Sequence, residues 1–537
     1  MEIACIYTVD SYFEVDKPFS HATEIPFGIS IIITVLKEHG HDVELFVVTP
    51  ATDLENTISK YVLERNPKLI CYTAVTTQYW QVKNVANHIK SLNKEIFHIL
   101  GGHHASLDSD AVMDEGVFDA ICVGEGENSI VELADNIENY SEYGHIKPIK
   151  NLWFYDKDNK KIIKNQRADF RQDLNDLPYI NRKIWDKYID NPSDYPAILL
   201  GRGCPFKCTY CSNHAMAKLS DGKYTRFRSP ENVVGEIKGI LEDYENVERI
   251  YLEVETFGAN RKASFAIFDK LAEFNSSQQI KISFGANLAL TSNFMSNEER
   301  CHELLSKAKK ANLMTINIGL ESGSERFRKD VLIRPKYTND ELVRFCRLAK
   351  DYKIKVIFFV LIGLPGETLD DYFETVKTAR RAQPYTCYVS IFYPYLGTDL
   401  ASNAISLGLI HPRDLVESDN SRAERSRAIL ELDGFSARRI RLEYIIFWFR
   451  VYFGYWPISK IIFQMTSSFI RAYPNLYSKM LFLRNKSLIF SKIVKPVEVN
   501  PEIVSMQIGA SGQTFAKCAK YFFQSTSPLP MAVQAAV

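Results

Sequence analysis

The chain has 537 residues, enough for three or four domains of about 150 residues each. Apolar residues make up 46% of the sequence and charged residues 24%, a balance that excludes a chain disordered over most of its length. Lysine plus arginine and aspartate plus glutamate both number 65, so the formal net charge is zero. Because nucleic-acid-binding proteins usually carry a basic excess, we expect no nucleic-acid partner.

The first 142 residues alternate between strand and helix patterns, with helical stretches such as 28–39 and 82–92. This alternation predicts an α/β domain with a doubly wound, Rossmann-like parallel sheet. Ligands of such sheets lie beyond the carboxyl ends of the strands, so the candidate ligand loops are 73–78, 101–106 and 124–127. The predicted strands are 3–8, 43–48, 69–75, 96–100 and 120–123.

A second strand–helix series occupies residues 191–405, after a polar linker with a small hairpin at 143–190. Six strands over about 200 residues, each followed by a helical pattern, predict a partial (β/α)6 barrel of parallel strands. The predicted strands are 195–200, 249–252, 280–284, 315–318, 356–362 and 388–392.

Residues 406–537 form a third region with a helical pattern and a different composition. Between Arg438 and Lys495 there are 11 Lys or Arg residues, one acid and 14 aromatic residues. We expect a helical cap packed over the open mouth of the barrel, and the alternative is a set of helices on a membrane surface. About twenty residues at the end have the composition of a disordered tail.

The strongest chemical signal is the spacing C-x3-C-x2-C at Cys204, Cys208 and Cys211, directly after a predicted strand. Three neighbouring thiolates suit an iron–sulfur cluster with one open iron position. The alternatives are a structural zinc site completed by His214, and three unliganded thiols. The other seven cysteines lie singly in apolar segments and are predicted to be buried. With no signal-peptide pattern and no uncharged apolar run of roughly 18 residues, we expect a reducing, cytoplasmic environment.

The three cysteines, with Tyr210 before the last of them, resemble the motif of the radical S-adenosylmethionine (SAM) family. That resemblance implies a [4Fe-4S] cluster on the cysteines, SAM as cofactor, and an electron donor such as flavodoxin or ferredoxin. It also implies SAM contacts from Tyr210, Glu255, Glu321 and Ser322. Relatives often have an arginine where this chain has Asn287, which leaves the contact to the SAM carboxylate open. Downstream segments agree with the family in order and spacing at 250–257, 318–323, 361–368 and 393–398.

The first domain resembles the cobalamin-binding domain that precedes the barrel in a large radical SAM subclass. The resemblance implies cobalamin contacts from the loops that follow the strands, at Thr73, Gly101, Gly102, His104 and Gly124. The Asp-x-His-x-x-Gly signature of a lower axial histidine is absent from the sequence. The alternatives are a domain for another nucleotide and a domain that binds nothing. The segments that carry the likeness are 26–29, 72–75, 101–106 and 123–127.

Taken together, the resemblances imply a cobalamin-dependent methyltransferase acting on an unactivated carbon, or less often a phosphorus, of a small molecule. No catalytic residue is predicted beyond those that hold the cofactors. One alternative keeps both cofactors but performs a rearrangement or oxidative cyclisation without methyl transfer. Two others are a zinc-stabilised, non-catalytic binding protein and a lipid-modifying enzyme with peripheral membrane contact through the C-terminal region.

Overall fold

The structure is a computed structural model that describes residues 1–9, 17–143, 148–156, 159–295, 297–416 and 425–473. Within these residues, two large sheets form the two α/β halves that the sequence predicts. Cys518 and the predicted disordered end lie outside the described residues. No helix in the described ranges has the length and hydrophobicity needed to cross a bilayer.

The N-terminal sheet has five parallel strands in the order β3-β1-β4-β5-β6, and every predicted strand of this domain is found within two residues of its bounds. The hairpin predicted in the linker, β7 and β8, extends the same sheet antiparallel to β6. A short β2 pairs with β9 at the end of the linker. The bounds are β1 Glu2–Thr8, β2 Phe19–His21, β3 Asp42–Val48, β4 Leu69–Thr73, β5 Phe97–Gly101, β6 Ala120–Cys122, β7 Leu152–Asp156, β8 Lys161–Lys164 and β9 Ile189–Asn191.

Helices cover both faces of this sheet, because its strands are apolar on both sides. In β1, Ile3 and Cys5 belong to one apolar cluster, whereas Ala4 and Ile6 belong to the cluster on the opposite face. The helices are α1 Phe27–Glu38, α2 Lys60–Arg65, α3 Tyr79–Leu92, α4 Gly102–Leu107, α5 Ser109–Asp114 and α6 Glu127–Tyr143. Short 3-10 helices span Ala22–Glu24, Thr76–Gln78, Arg182–Tyr188 and Pro412–Leu415, and a π-helix spans Glu55–Ser59.

The second sheet contains six parallel strands that neighbour one another in chain order, β10-β13-β14-β15-β16-β17, as expected for a partial barrel. Strand β11 follows β10 and pairs antiparallel with β12, each strand being two residues long. The cysteine loop lies between these two strands in the chain. The bounds are β10 Ala197–Leu199, β11 Gly201–Arg202, β12 Arg226–Phe227, β13 Arg249–Phe257, β14 Ser283–Leu288, β15 Leu313–Glu321, β16 Lys355–Ile362 and β17 Thr386–Ile391. The helices are α7 Ser212–Met216, α8 Pro230–Asp243, α9 Arg261–Ser276, α10 Ser292–Met295, α11 Glu298–Lys310, α12 Glu325–Asp330, α13 Asn339–Asp351, α14 Leu369–Ala382 and α15 Asp399–Ser406.

The described tail forms two packed helices, α16 (Ala437–Tyr452) and α17 (Ile458–Ala472). Helix α16 lies on the outer wall of the barrel, where Tyr452 donates to the Cys387 sulfur of β17 (3.2 Å) and Tyr372 of α14 donates to the Glu443 carbonyl (3.3 Å). This differs from the expected cap over the barrel mouth. Ile440, among other apolar residues of α16, joins the core of the barrel, so the helix occupies the position of the outer helix that follows the last strand.

Candidate functional site

The cysteine loop begins at a glycine that the local geometry requires. Gly203 has φ +83°, and a Cβ there would lie 2.3 Å from the Tyr224 carbonyl oxygen. The loop is then anchored to two other parts of the barrel half through Thr209, whose N–H donates to the Leu332 carbonyl (3.1 Å) and whose carbonyl accepts from the Leu400 N–H (2.8 Å). These contacts hold all three predicted cysteines at the edge where the barrel strands end.

The three thiols form a donor set that fits a soft metal cluster. They are free cysteines in one loop, and the Cys211 N–H donates to the Cys208 carbonyl (3.1 Å). Burial raises the pKa of Cys204 and Cys208 above the ordinary value and raises that of Cys211 to about 12. Thiolates therefore form here only with a compensating positive charge, such as the iron of a cluster.

The zinc alternative lacks its fourth ligand in this arrangement. The Nε2 atom of His214 lies 3.5 Å from the Asp399 carboxylate and pairs with it. Within the described parts of the chain, no three His, Cys, Asp or Glu side chains converge on a position that could hold a single ion. In a [4Fe-4S] cluster, by contrast, each thiolate binds a different iron, so three cysteines would serve three irons, leave the fourth open and need no such convergence.

Arg334 is a residue of this site that the sequence analysis missed. Its Nη1 atom donates to the Tyr210 hydroxyl (2.8 Å) and lies 3.8 Å from Glu321 Oε1 and 4.0 Å from the Cys208 sulfur. Its Nη2 atom donates to the Gly319 carbonyl. Arg334 lies 13 positions after Glu321, the last residue of its strand, and a positive charge in that segment was the available signal.

Glu321 and Ser322 end β15 in a strained turn but face different surroundings. Glu321 has φ +56°, and its buried carboxyl has a pKa raised by burial and partly lowered by Arg334. The Ser322 hydroxyl is fully buried and accepts the Ser324 N–H (3.3 Å), with the Thr375 hydroxyl 3.5 Å away. The structure thus brings Glu321 to the cysteine loop, whereas Ser322 is engaged within the turn.

Glu255 lies two residues before the end of β13. Burial raises the pKa of its carboxyl to about 7, and a hydrogen bond from Asn213 acts in the opposite direction. Asn213 stands two residues after Cys211 and accepts a hydrogen bond from Tyr224 (2.8 Å). The Glu255 Oε2 atom is buried and has no hydrogen-bond partner among the described residues. Glu255 can therefore accept from a ligand that lies at the cysteine loop.

Asn287 takes part in a polar network rather than lying free. Its Oδ1 accepts from the Tyr251 hydroxyl (2.6 Å) and from Asn317 Nδ2 (3.3 Å), which also donates to Tyr251 (2.9 Å). At a position where relatives often have an arginine, this chain therefore carries an amide engaged with its neighbours. The positive charge nearest to the cysteines in these contacts comes instead from Arg334.

The N-terminal sheet has a crevice at its switch point, between β1 and β4, where the strand order reverses. Thr73, Gly101 and Gly124 follow three neighbouring strands at this edge. Gly102 has φ +90°, and a Cβ there would lie 2.5 Å from the Thr73 hydroxyl. Gly102 therefore allows the start of α4 to pack directly against the end of β4, at the edge where ligands of such sheets bind.

His104 is placed differently from the other predicted cobalamin residues. Its ring is 1% exposed, packs 4.2 Å from the Tyr79 ring, and has no hydrogen bond to either nitrogen from the described residues. Burial lowers its pKa to about 3. His104 therefore lies behind the crevice, in contact with helix α3.

The two halves meet through buried ion pairs at the acidic loop that follows Gly124. Arg202, two residues before the first cysteine, contacts Glu125 (3.0 Å) and Glu127 (2.5 Å). Arg226 also contacts Glu125 (2.9 Å). Through these ion pairs, the acidic loop after β6 of the N-terminal domain contacts the segment that begins the cysteine loop.

Comparisons with known proteins agree with both halves. Residues 198–379 match the Radical SAM superfamily, and residues 20–134 match the B12 binding domain. An uncharacterized methyltransferase of Pyrococcus horikoshii is 27% identical over 390 residues, which cover 72% of this chain and 79% of that protein. The anaerobic magnesium-protoporphyrin IX monomethyl ester cyclase of Rubrivivax gelatinosus is 24% identical over 380 residues, 70% of this chain and 65% of the cyclase.

A solved structure shares the fold across both domains. The radical S-adenosylmethionine methyltransferase TsrM of Kitasatospora setae, with cobalamin and a [4Fe-4S] cluster bound, superposes with a TM-score of 0.60 at 14% sequence identity. The similarity covers 76% of this chain and 75% of TsrM. The predicted order of a doubly wound domain followed by a partial barrel is confirmed.

Proposed function

The chain belongs to the cobalamin-dependent radical SAM family, and we propose that it transfers a methyl group to an unactivated carbon, or alternatively a phosphorus, of a small molecule. The observation that carries this proposal is the ion-paired junction of Arg202 with Glu125 and Glu127. It places the glycine-rich crevice of one domain against the cysteine loop of the other. A methyl group carried in the crevice and a radical made at the loop need such proximity.

The cofactors supply the reactive species, and the protein supplies their placement. When bound, the cluster with SAM provides a radical that abstracts hydrogen, and cobalamin provides the methyl group. Cys204, Cys208 and Cys211 would hold the cluster. Thr73, Gly101, Gly102 and Gly124 would line the cobalamin crevice, and His104 would support it from behind.

Four residues around the cysteines would bind SAM. Glu255 offers an unpartnered carboxylate oxygen to the amino group, and Glu321 and Tyr210 line the same edge. Ser322 would act by holding the turn that presents Glu321. We assign the SAM carboxylate to Arg334, which supplies the positive charge that Asn287 lacks. A bidentate guanidinium is the side chain best suited to a carboxylate.

The experiment is anaerobic purification with iron, sulfide, cobalt and zinc analysis, followed by reaction with SAM carrying a deuterated methyl group. We expect about four irons and one cobalt per chain, transfer of the labelled methyl group, and S-adenosylhomocysteine as a product. A variant with all three cysteines changed to alanine is the control and should retain cobalamin but lose iron. An altered substrate without the label would favour rearrangement or cyclisation, the activity named for the Rubrivivax relative. Zinc without iron would overturn the proposal.

We also place the enzyme in the cytoplasm, with a flavodoxin or ferredoxin as electron donor and peripheral contact with anionic membranes. The observation that favours this contact is an exposed apolar stripe on each tail helix: Leu442 and Phe449 on α16 with Phe453 directly after it, and Ile462 and Phe469 on α17. Basic side chains accompany both stripes, as in helices that lie on lipid surfaces. Sedimentation with phosphatidylglycerol vesicles tests this contact, and binding that persists in an F449S/F469S variant would contradict it.

A further inference from the structure

The interior of the barrel contains a carboxyl group that none of the functions assigned above uses. Along β13, Ile250, Leu252 and Val254 belong to the core between strands and helices. Because side chains alternate along a strand, Glu253 faces the interior of the barrel between Tyr251 and Glu255. At about 3.3 Å per residue, Glu253 lies roughly 7 Å deeper than Glu255, away from the cysteine loop.

Glu253 is fully buried, and neither of its carboxylate oxygens has a hydrogen-bond partner among the described residues. The Oδ1 atom of Asn317, which is 8% exposed on the neighbouring inner wall, is also without a partner. A buried polar group without a partner lowers stability, so folded proteins rarely keep one without a use. The two Glu253 oxygens and Asn317 Oδ1 are thus three acceptor atoms without a partner that face the interior of the barrel.

The hydrogen-bond donors of Tyr251 and Asn317 are already engaged with other side chains of the barrel interior. The Tyr251 hydroxyl donates to Asn287, and the Asn317 amide donates to both Tyr251 and Asn287. The surrounding walls are aromatic, with Tyr195 edge-on to Tyr251 at 5.7 Å between ring centroids. A ligand that complements these walls must bring donors, and an ammonium group brings three together with a positive charge.

We propose that Glu253 and Asn317 bind a protonated amine of the substrate, so that the substrate class is an amine with an apolar or aromatic body. This inference rests on the proposed function, because it assumes that the barrel interior receives the substrate. Glu253 acts as a specificity-determining residue. Glu255, two residues further along β13 and closer to the cysteine loop, is still assigned to SAM. The charge-assisted contact orients the substrate, with its body against the aromatic walls.

The test uses the anaerobic holoenzyme, SAM with a deuterated methyl group, and the low-molecular-mass fraction of a cell extract separated on a cation exchanger at neutral pH. We expect label in compounds retained by the exchanger, and a rise of about tenfold or more in KM for that fraction in Glu253→Gln. Glu248→Gln, an exposed carboxyl at the start of the same strand, is the matched control and should behave as wild type. Label confined to unretained compounds would overturn the amine while leaving methyl transfer intact.

A second measurement decides the inference even where no label is transferred and the proposed function fails. If Glu253 is kept for a ligand, Glu253→Leu should raise the melting temperature of the ligand-free holoenzyme by about 2 °C or more, because the unmatched buried polar atoms are removed, whereas Glu253→Gln keeps a buried polar amide and should not lower it. Iron and cobalt content and SAM affinity should match the wild type. A lower melting temperature in both variants would show that the carboxyl is a structural partner and would overturn the proposal.

Discussion

Replacing Arg202 by methionine tests the junction between the domains. The Arg202 guanidinium is 5% exposed and contacts Glu125 and Glu127, whose side chains are 11% and 8% exposed. Methionine keeps much of the length and packing of arginine but removes the charge, so both carboxylates lose a buried partner. Breaking a buried ion pair from one side costs about 3–5 kcal/mol, because the remaining charge stays uncompensated.

The chain offers a matched control in Arg65, which also contacts two carboxylates, Glu2 (2.7 Å) and Asp42 (3.0 Å), but is 52% exposed. Ion pairs of this kind contribute about 0–1 kcal/mol, so Arg65→Met should shift the urea midpoint little. We expect a much larger shift for Arg202→Met, and partial recovery when Glu127→Gln is added. This recovery follows because the double variant no longer holds an unpaired Glu127 carboxylate.

The pH dependence of stability tests the same junction, because the direction in which the stability deficit of Arg202→Met changes with pH can be predicted. In the wild type, burial acts to raise the pKa of Glu127, but Arg202, with a backbone hydrogen bond and Arg171, holds it below its ordinary value of 4.5. A depressed native pKa contributes stability above the unfolded pKa, and this contribution is lost as pH falls. Without Arg202, burial raises that pKa, so the variant loses stability as pH rises. The deficit of Arg202→Met should therefore grow from acidic to neutral pH. Equal deficits for the two arginine variants, or a deficit that shrinks towards neutral pH, would refute this reasoning.

Two further predictions concern single positions. Gly102→Ala should reduce the cobalt content and lower the melting temperature, because the added Cβ would lie 2.5 Å from the Thr73 hydroxyl and 2.9 Å from the Ala74 carbonyl. The control is Gly239→Ala in helix α8, where the added Cβ meets nothing within 4 Å, and this variant should keep the wild-type cobalt content and melting temperature. Burial raises the pKa of Glu367 to about 8, so the native state holds a proton that the unfolded chain loses between its ordinary pKa of 4.5 and pH 8. Stability therefore falls as pH rises through that window, and Glu367→Gln should gain about 1–3 kcal/mol relative to wild type between acidic and neutral pH in urea titrations. A gain that does not change with pH would contradict this assignment.

Local patterns were sufficient to predict the fold. The parallel strands of the N-terminal sheet are runs of apolar residues buried on both faces, and the barrel strands carry apolar residues on the face that meets the helices, so both patterns are recognisable without knowledge of their neighbours. The sequence also predicted that 73–78, 101–106 and 124–127 follow β4, β5 and β6, because the ends of parallel strands meet at one edge, although residues after Gly101 form helix α4 instead of a loop. The cysteine loop was identified by the spacing of its three cysteines alone.

The parts that were missed depend on contacts between distant segments. Arg334 reaches Tyr210 and Cys208 across more than 120 positions, and no local pattern distinguishes it from other arginines of the barrel. His104 was expected in a loop at 101–106 but lies in helix α4, because the chain turns into a helix directly after β5, and its ring packs against Tyr79 in another helix. The tail helices were expected over the barrel mouth, because amphipathicity predicts a buried face without identifying the surface that covers it.

Two arginines connect the cysteine loop to the rest of the molecule, one to the N-terminal domain and the other to the barrel. Arg202 lies just before the loop and pairs with carboxylates of the N-terminal domain, whereas Arg334 approaches from the barrel and meets Cys208 and Tyr210. Both are buried and charged, so each fixes its partners at a defined distance. The loop that would hold the cluster is therefore positioned by both halves at once. A disturbance of either arginine should change the geometry between the cobalamin crevice and the SAM edge, even though neither side chain has to touch the substrate.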